Sequence, residues 1–257
     1  MAGTSPAMTD QHEAKMPDKK LTGRIAADRI RMQSTPKPPA GAVERFLALG
    51  NCTGVISDAM DELGIPAGVV GASVLKPTMP GKVICGPALT VRNIAQRTDA
   101  LAGARAGVNK MAEFEAHNLA EDGDVLVIQG VPHVSNMGGV SAMTGKRAGE
   151  RGAIVMGGVR DVADSRAVDY PVWSSEITPV TGKWRLETVE INGAIEIAGV
   201  RVAAGDLVVA DATGVCFIPR DFILEVLEWC EKKKRAEDER INAIARGVPV
   251  PVFYAKG

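Results

Sequence analysis

The chain has 257 residues, 46% hydrophobic and 24% charged, with a formal net charge of −1. That balance lacks the basic field nucleic-acid binding uses, and five Phe, three Trp and two Tyr are too few for base-stacking platforms. No run approaches the ~18 consecutive apolar residues of a membrane helix, and the first residues lack the apolar core of a secretion signal.

Residues 1–40 are polar and interrupted by proline, ending in Pro36, Lys37, Pro38 and Pro39. They read as an N-terminal arm, either free or packed on a neighbouring subunit. Within it, Leu21, Ile25, Ile30 and Met32 would line one face of a short helix. Residues 43–64 read as helical with a break between Asn51 and Ser57, Thr53 or Ser57 capping the second piece, and Gly64 and Pro66 ending it. From residue 83 the pattern turns strand-rich, with strands expected at 83–93, 124–129, 153–157, 186–191, 195–202 and 207–218. Helices are expected between the early strands, at 99–118 and 139–151. The middle of the chain therefore reads as βαβ with a parallel pair. The short later connections, Asn192-Gly193 and Ala204-Gly205-Asp206, read as antiparallel hairpins. A last helix carries Phe222, Ile223, Val226, Leu227 and Cys230 on one face, capped by Asp221 and ended by Gly247. Its charge run, Lys232 to Glu239, reads as a solvated face, and residues 248–257 as a tail. Cys52, Cys85, Cys216 and Cys230 have neither CxxC nor Cys/His ligand spacing. Reduced structural thiols in a cytoplasmic protein are expected, and zinc is not.

The chemistry concentrates in residues 124–161. In a right-handed βαβ unit both strands end on one edge, where open α/β sheets bind ligands. Gly138 and Gly139 begin the intervening helix, so the free N–H groups of Gly139, Val140 and Ser141 can hold a carboxylate there. Arg160 and Asp161 leave the second strand at the same edge. A guanidinium fork suits a carboxylate or an enolate oxygen, and a carboxylate suits a hard divalent cation that keeps most of its waters. An ordinary Arg–Asp pair at a strand end is the plainer alternative. His133, in the loop before Gly138, either reaches this site or bonds within its loop. His117 ends a helix, where a cation complements the dipole.

The stretches MGGVSAMTGKRAGERGAIVMGGVRDVADSRAVDYPVWSSEITP and IAGVRVAAGDLVVADATGVCFIP resemble the RraA-like family, and TGVISDAMDELG is similar too. That family includes 4-hydroxy-4-methyl-2-oxoglutarate aldolases and the regulator of ribonuclease E activity. The resemblance covers about residues 45–247 and retains the family's spacing, with twenty residues between Gly139 and Arg160. It implies a single domain over 41–247 with a swivelling α/β/β/α sandwich, its site on the parallel βαβ unit. It implies a homotrimer or homohexamer with intersubunit sites. Carried over by position, the substrate loop is Gly138, Gly139, Val140 and Ser141, the substrate arginine is Arg160 and the metal ligand is Asp161. A glutamate of a neighbouring subunit's C-terminal helix, matched best by Glu237, steadies a water on the metal. Aldolase members often carry an acid where this chain has Gly139. The implied activity is a Mg2+- or Mn2+-dependent carbon–carbon lyase, an aldolase or oxaloacetate decarboxylase acting on a small 2-oxo acid through a pyruvate enolate. The alternative is a non-catalytic regulator of a protein partner such as a ribonuclease.

Overall fold

The structure, a computed structural model, describes residues 19–66, 68–249 and 252. In chain order it contains α1 (Ala42–Ala48), α2 (Thr53–Glu62), β1 (Val69–Gly71), β2 (Lys76–Pro77), β3 (Ile84–Ala95), α3 (Ala100–Arg105), α4 (Glu113–Leu119), β4 (Val125–Gln129), β5 (Ser135–Met137) and α5 (Gly139–Arg147). There follow β6 (Gly152–Val159), α6 (Val162–Ala167), β7 (Val172–Ile177), β8 (Leu186–Ile191), β9 (Ile195–Ile197), β10 (Val200–Val202), β11 (Leu207–Ala210), β12 (Gly214–Ile218) and α7 (Ile223–Ala245).

The twelve-residue β3 joins two halves of one mixed sheet. Its first residues pair antiparallel with β11, Ile84 opposite Ala210 and Pro87 opposite Leu207. Its middle pairs parallel with β4, and its end pairs antiparallel with β8 across a bulge at Arg92/Asn93. The order is β1-β12-β11-β3-β4-β6-β7-β2, with β5 added to β6, while β9 and β10 form a separate hairpin.

Strand alternation sorts the core into layers, because successive side chains face opposite sides of a sheet. In β4, Leu126 and Ile128 join a cluster with Ala116 and Leu119 of α4 and Ala142 of α5. Val125 and Val127 point the other way, into a cluster with Val208, Ala210, Val215 and Phe217 of β11 and β12. The opposite faces of those two strands, Leu207, Val209, Cys216 and Ile218, meet α1, α2 and α7. Helix, sheet, sheet and helix thus stack as the expected α/β/β/α sandwich, and strands buried on both faces read as nearly continuous apolar runs.

Several local expectations change. Among its described residues the arm contains no amphipathic helix. A three-residue 3-10 turn at Ala27–Arg29 leads into a bridge between Ile30 and Ile191, and Ile25 is buried in the α4/α5 cluster. Residues 1–18 lie outside the described part. The described arm straps its own chain. Lys19 Nζ donates to Leu119 O and Ala120 O, and Lys37 pairs with Glu121 and Asp124. A helical stretch at 99–118 splits into α3 and α4, Gly107 taking φ 66° between them. The strands expected at 195–202 and 207–218 are each a hairpin, while β8 pairs with β3 instead of its successor.

Neither Thr53 nor Ser57 caps α2. Thr53 N–H and Oγ1–H donate to the carboxylate of Asp211, 3.0 and 2.7 Å away, so the cap comes from the β11–β12 turn. Asp221 lies in a 3-10 turn before α7 and makes no cap bond. The strands β1, β2, β5 and β7 were not expected. Among the described residues no helix is long and apolar enough to cross a membrane.

All four cysteines are free and buried. Burial pushes the Cys52 and Cys230 thiols up to about 12 and those of Cys85 and Cys216 higher still. A thiol so placed is neither a nucleophile nor a ready metal ligand. Ellman's reagent at pH 8 should therefore find no thiol in the native protein, and should release four equivalents per chain after denaturation.

Candidate active site

The site rests on the short parallel ladder between β5 and β6. Ser135 stands opposite Gly158 and Met137 opposite Val159, and Arg160 N–H continues the ladder by donating to Met137 O at 3.2 Å. One residue beyond that bond on either strand are Gly138, the N-cap of α5, and Asp161, the N-cap of α6. Two helix N-termini therefore open at one sheet edge, with their partial positive charge and unpaired N–H groups. The first bond within α5 runs from Ala142 N–H to Gly138 O. Gly139 N–H donates across to Asp161 Oδ2 at 3.3 Å, the same oxygen that faces Arg160 Nε at 3.3 Å.

Asp161 adopts φ 54°, ψ 41°. Aspartate is among the few non-glycine residues that tolerate this left-handed region, at a cost of roughly 1–2 kcal/mol. The glycines have a steric reason. A Cβ on Gly138 would lie 2.8 Å from Asp161 Oδ2, and one on Gly139 would lie 2.5 Å from Asp164 Oδ2 and 2.7 Å from Asp164 Cβ. Asp164, in the first turn of α6, thus brings a carboxylate to the space that a side chain at position 139 would enter. The sequence reading missed it. Its signal is an acid three residues after Asp161, which shares that residue's face of a helix.

Beside Arg160 and Gly138 lies a cavity of about 220 Å3, bordered also by Arg24, Glu113, Phe114 and Lys183. The Arg160 and Asp161 side chains are 36% and 43% exposed, so both can meet a ligand from solvent. Val140 is exposed and Ser141 is buried. The Ser141 side chain turns inward, so only its backbone can serve the site.

Behind the loop a polar chain crosses the core. His117 bonds Ser141 Oγ through Nε2 and Glu150 Oε1 through Nδ1, each at 2.7 Å, and Tyr170 O–H donates to Glu150 Oε2. These four side chains are buried, so His117 is a core group and not a surface cation on a helix end. Burial and the neighbouring Glu150 push the Tyr170 hydroxyl well up, which keeps it a donor. The chain ties α4, α5 and the start of β7 to the loop.

His133 is held by β7 and not by its own loop, and it does not border the cavity beside Arg160. It takes φ 63°, its N–H donates to Glu176 Oε2, and its side chain is 87% exposed. Glu237 sits on α7, which packs on α1 and α2 in the opposite outer layer. One chain does not bring it to Arg160.

Among the described residues no three His, Cys, Asp or Glu form a ligand cage. The donors at this edge are carboxylate oxygens of Asp161 and Asp164 beside a glycine cradle. That donor set suits a hard divalent cation which retains waters, and does not suit a soft or tetrahedral one.

A sandwich of this topology sets an Arg-Asp pair opposite a glycine-led helix at the ends of parallel strands, the edge where open α/β sheets bind ligands. The profile of the RraA-like family, described as Aldolase/RraA, matches residues 53–217, and the chain belongs to that family. A Halalkalibacterium halodurans protein provisionally named 4-hydroxy-4-methyl-2-oxoglutarate aldolase is 30% identical over 76% of this chain and 86% of its own length. Protein DlpA of Legionella pneumophila is 29% identical over 87% of this chain, which spans only 36% of that relative. The crystal structure of Streptomyces coelicolor RraAS2, described as an unusual member of the RNase ES inhibitor RraA family, shares the fold. Its TM-score is 0.67, with 24% identity over 80% of this chain and 98% of that one.

Removing Glu150 would leave His117 and Tyr170 without their shared buried partner. Glu150→Ala should lower unfolding stability by about 1–3 kcal/mol for each buried partner left unsatisfied. Urea denaturation measures it; a loss within about 0.5 kcal/mol, as at a surface position, would show that the chain contributes nothing to the fold.

Proposed function

We propose that this chain is a divalent-metal-dependent carbon–carbon lyase acting on a small 2-oxo acid, through a pyruvate enolate. The reading is supported above all by the convergence of the Arg160 guanidinium, the Asp161 carboxylate and the α5 N-terminus beside one cavity. Family membership and the names of relatives support lyase chemistry at the same level.

Asp161 is the ligand that would hold the cation, Mg2+ or Mn2+, with Asp164 supplying the acid that position 139 lacks. Such an ion, when bound, polarises the 2-oxo group as a Lewis acid. Arg160 grips the carboxylate and 2-oxo oxygens with its fork and stabilises the negative charge that develops on the enolate oxygen. Gly138 and Gly139 let the substrate approach the backbone, where the Gly139, Val140 and Ser141 N–H groups favour an anion.

Glu237 enters this reading through a second copy of the chain. Beyond Cys230 no residue of α7 is buried, and Ile241 and Ile244 are each 57% exposed. Val140 and Met143 on α5 and Ile177 at the end of β7 are exposed as well. A trimer or hexamer that covers these apolar side chains would bring the end of α7 to a neighbour's site. Sedimentation equilibrium should give at least three chains per particle; a fully active monomer refutes the shared site.

Purified protein should release pyruvate from oxaloacetate with Mg2+ and cease with EDTA. Arg160→Lys keeps the charge but loses the fork. It should lower kcat by roughly 10²–10³, the cost of one transition-state donor, while metal affinity by calorimetry is unchanged. Asp161→Asn, which tolerates the same backbone conformation, should abolish metal binding and leave the thermal transition near wild type. Near-wild-type kcat/KM in folded Arg160→Ala would reduce the pair to a surface contact worth ~0–1 kcal/mol. Absence of any metal-dependent turnover would favour the regulator reading.

A further inference from the structure

The cavity beside Arg160 has a carboxyl in its wall that the reading above does not use. Glu113 is only 8% exposed, and its Oε2 is buried with no hydrogen-bond partner among the described residues. Burying a carboxyl oxygen without a partner is costly, and such atoms in native structures call for an explanation. The fold does not need one here. Met111, Phe114 and Met137 border the same cavity, and an apolar residue at position 113 would extend that wall without a desolvation penalty.

The titratable and charged groups facing Glu113 come from three elements. Arg24 belongs to the N-terminal strap, Lys183 to the β7–β8 connection and His117 to the next turn of α4. Arg160 lines the same cavity from the end of β6. Desolvation raises the Glu113 pKa above the ordinary carboxylate value, and a hydrogen bond from its own backbone N–H and the pull of His117, Arg24 and Lys183 only partly offset it. A carboxyl tuned upward, beside a guanidinium placed to hold an enolate, has the properties of a general acid–base group.

We propose that Glu113 is the residue of this chain that exchanges a proton with the methyl carbon of pyruvate. The proposal rests on the lyase reading. In the product-forming direction the enolate's carbon–carbon π pair forms a new C–H bond with the Glu113 proton. The Glu113 O–H bond breaks, the enolate C–O− becomes C=O, and pyruvate and a Glu113 carboxylate result. In the reverse direction the carboxylate removes a methyl proton and the electron pair returns to the enolate. No oxidant or further reactant is required, and solvent restores the carboxyl proton.

The test is exchange of pyruvate methyl protons in D2O, followed by proton NMR with Mg2+ or Mn2+ present. In the wild type the rate should rise with pH through the elevated Glu113 pKa and then level, because the carboxylate is the base. Glu113→Gln should lower the plateau by about 10²-fold or more, within the usual range for general acid–base groups, and should lose that rise. Glu113→Asp should fall between the two. Calorimetric metal affinity should be the same in all three. Glu113→Gln exchanging at the wild-type rate, while Arg160→Ala does not exchange, overturns the role of Glu113 and leaves the lyase reading standing. A wild type that never exchanges overturns both.

A second readout needs neither metal nor substrate. The folded pKa of Glu113 lies above its unfolded value, so the protonated carboxyl's contribution to stability is complete below the unfolded pKa. It is lost as pH rises through the folded pKa. The wild-type Tm should therefore fall relative to Glu113→Gln across that window, and a pH-independent difference overturns the buried, desolvated state on which the proposal stands.

Discussion

The short ladder between β5 and β6 is the constraint on which the site depends. It contains few hydrogen bonds, yet it aligns two chain segments about twenty residues apart in sequence, so that Gly138 and Asp161 emerge side by side. A one-residue slip would turn every β5 side chain over and carry Gly138 away from Arg160. The ladder is itself held by Asn136, which is fully buried. Its amide donates to Val131 O and Val134 O and accepts from Val131 N–H and Asn93 Nδ2–H. Losing that one side chain would leave several buried backbone groups without partners, a larger loss than any exposed ion pair at the site.

On this frame the local chemistry follows from crowding. Asp161, Arg160 and Asp164 crowd against two glycines, and the absence of side chains at 138 and 139 leaves the backbone N–H groups within reach of a carboxylate oxygen. The left-handed turn at Asp161 aims its side chain back across the ladder. The buried His117–Glu150–Tyr170 chain anchors the inner end of the same loop through Ser141. Rigid support behind and open carboxylates in front suit a site that must hold a small anion in one orientation.

The arm and α7 bear on the site from opposite sides of the chain. The arm straps α4 and β8 and delivers Arg24 to the cavity, so a segment that reads as polar and irregular is part of the site's wall. The end of α7 points elsewhere, with exposed Ile241 and Ile244 and the acids of its charge run.

Much of this was legible in the sequence. Apolar runs at 84–91, 125–128 and 153–155 fix buried strands, because only strands covered on both faces can lack alternation. Gly138-Gly139 and Arg160-Asp161 are legible by spacing, since a βαβ unit sends both strand ends to one edge. Tertiary structure decided what depends on partners distant in sequence. Ser135-Asn136-Met137 carries no alternating apolar pattern and becomes β5 because the last residues of β6 run past the end of β4 and leave that side open. The cap of α2 comes from Asp211, 158 residues away. Glu113 shares a helix face with Ala116, His117 and Ala120, and that spacing shows only that an acid sits on an apolar face. Its burial in the wall of the cavity that Arg160 also lines is set by where α4 packs, because desolvation is a property of the surroundings and not of the residue.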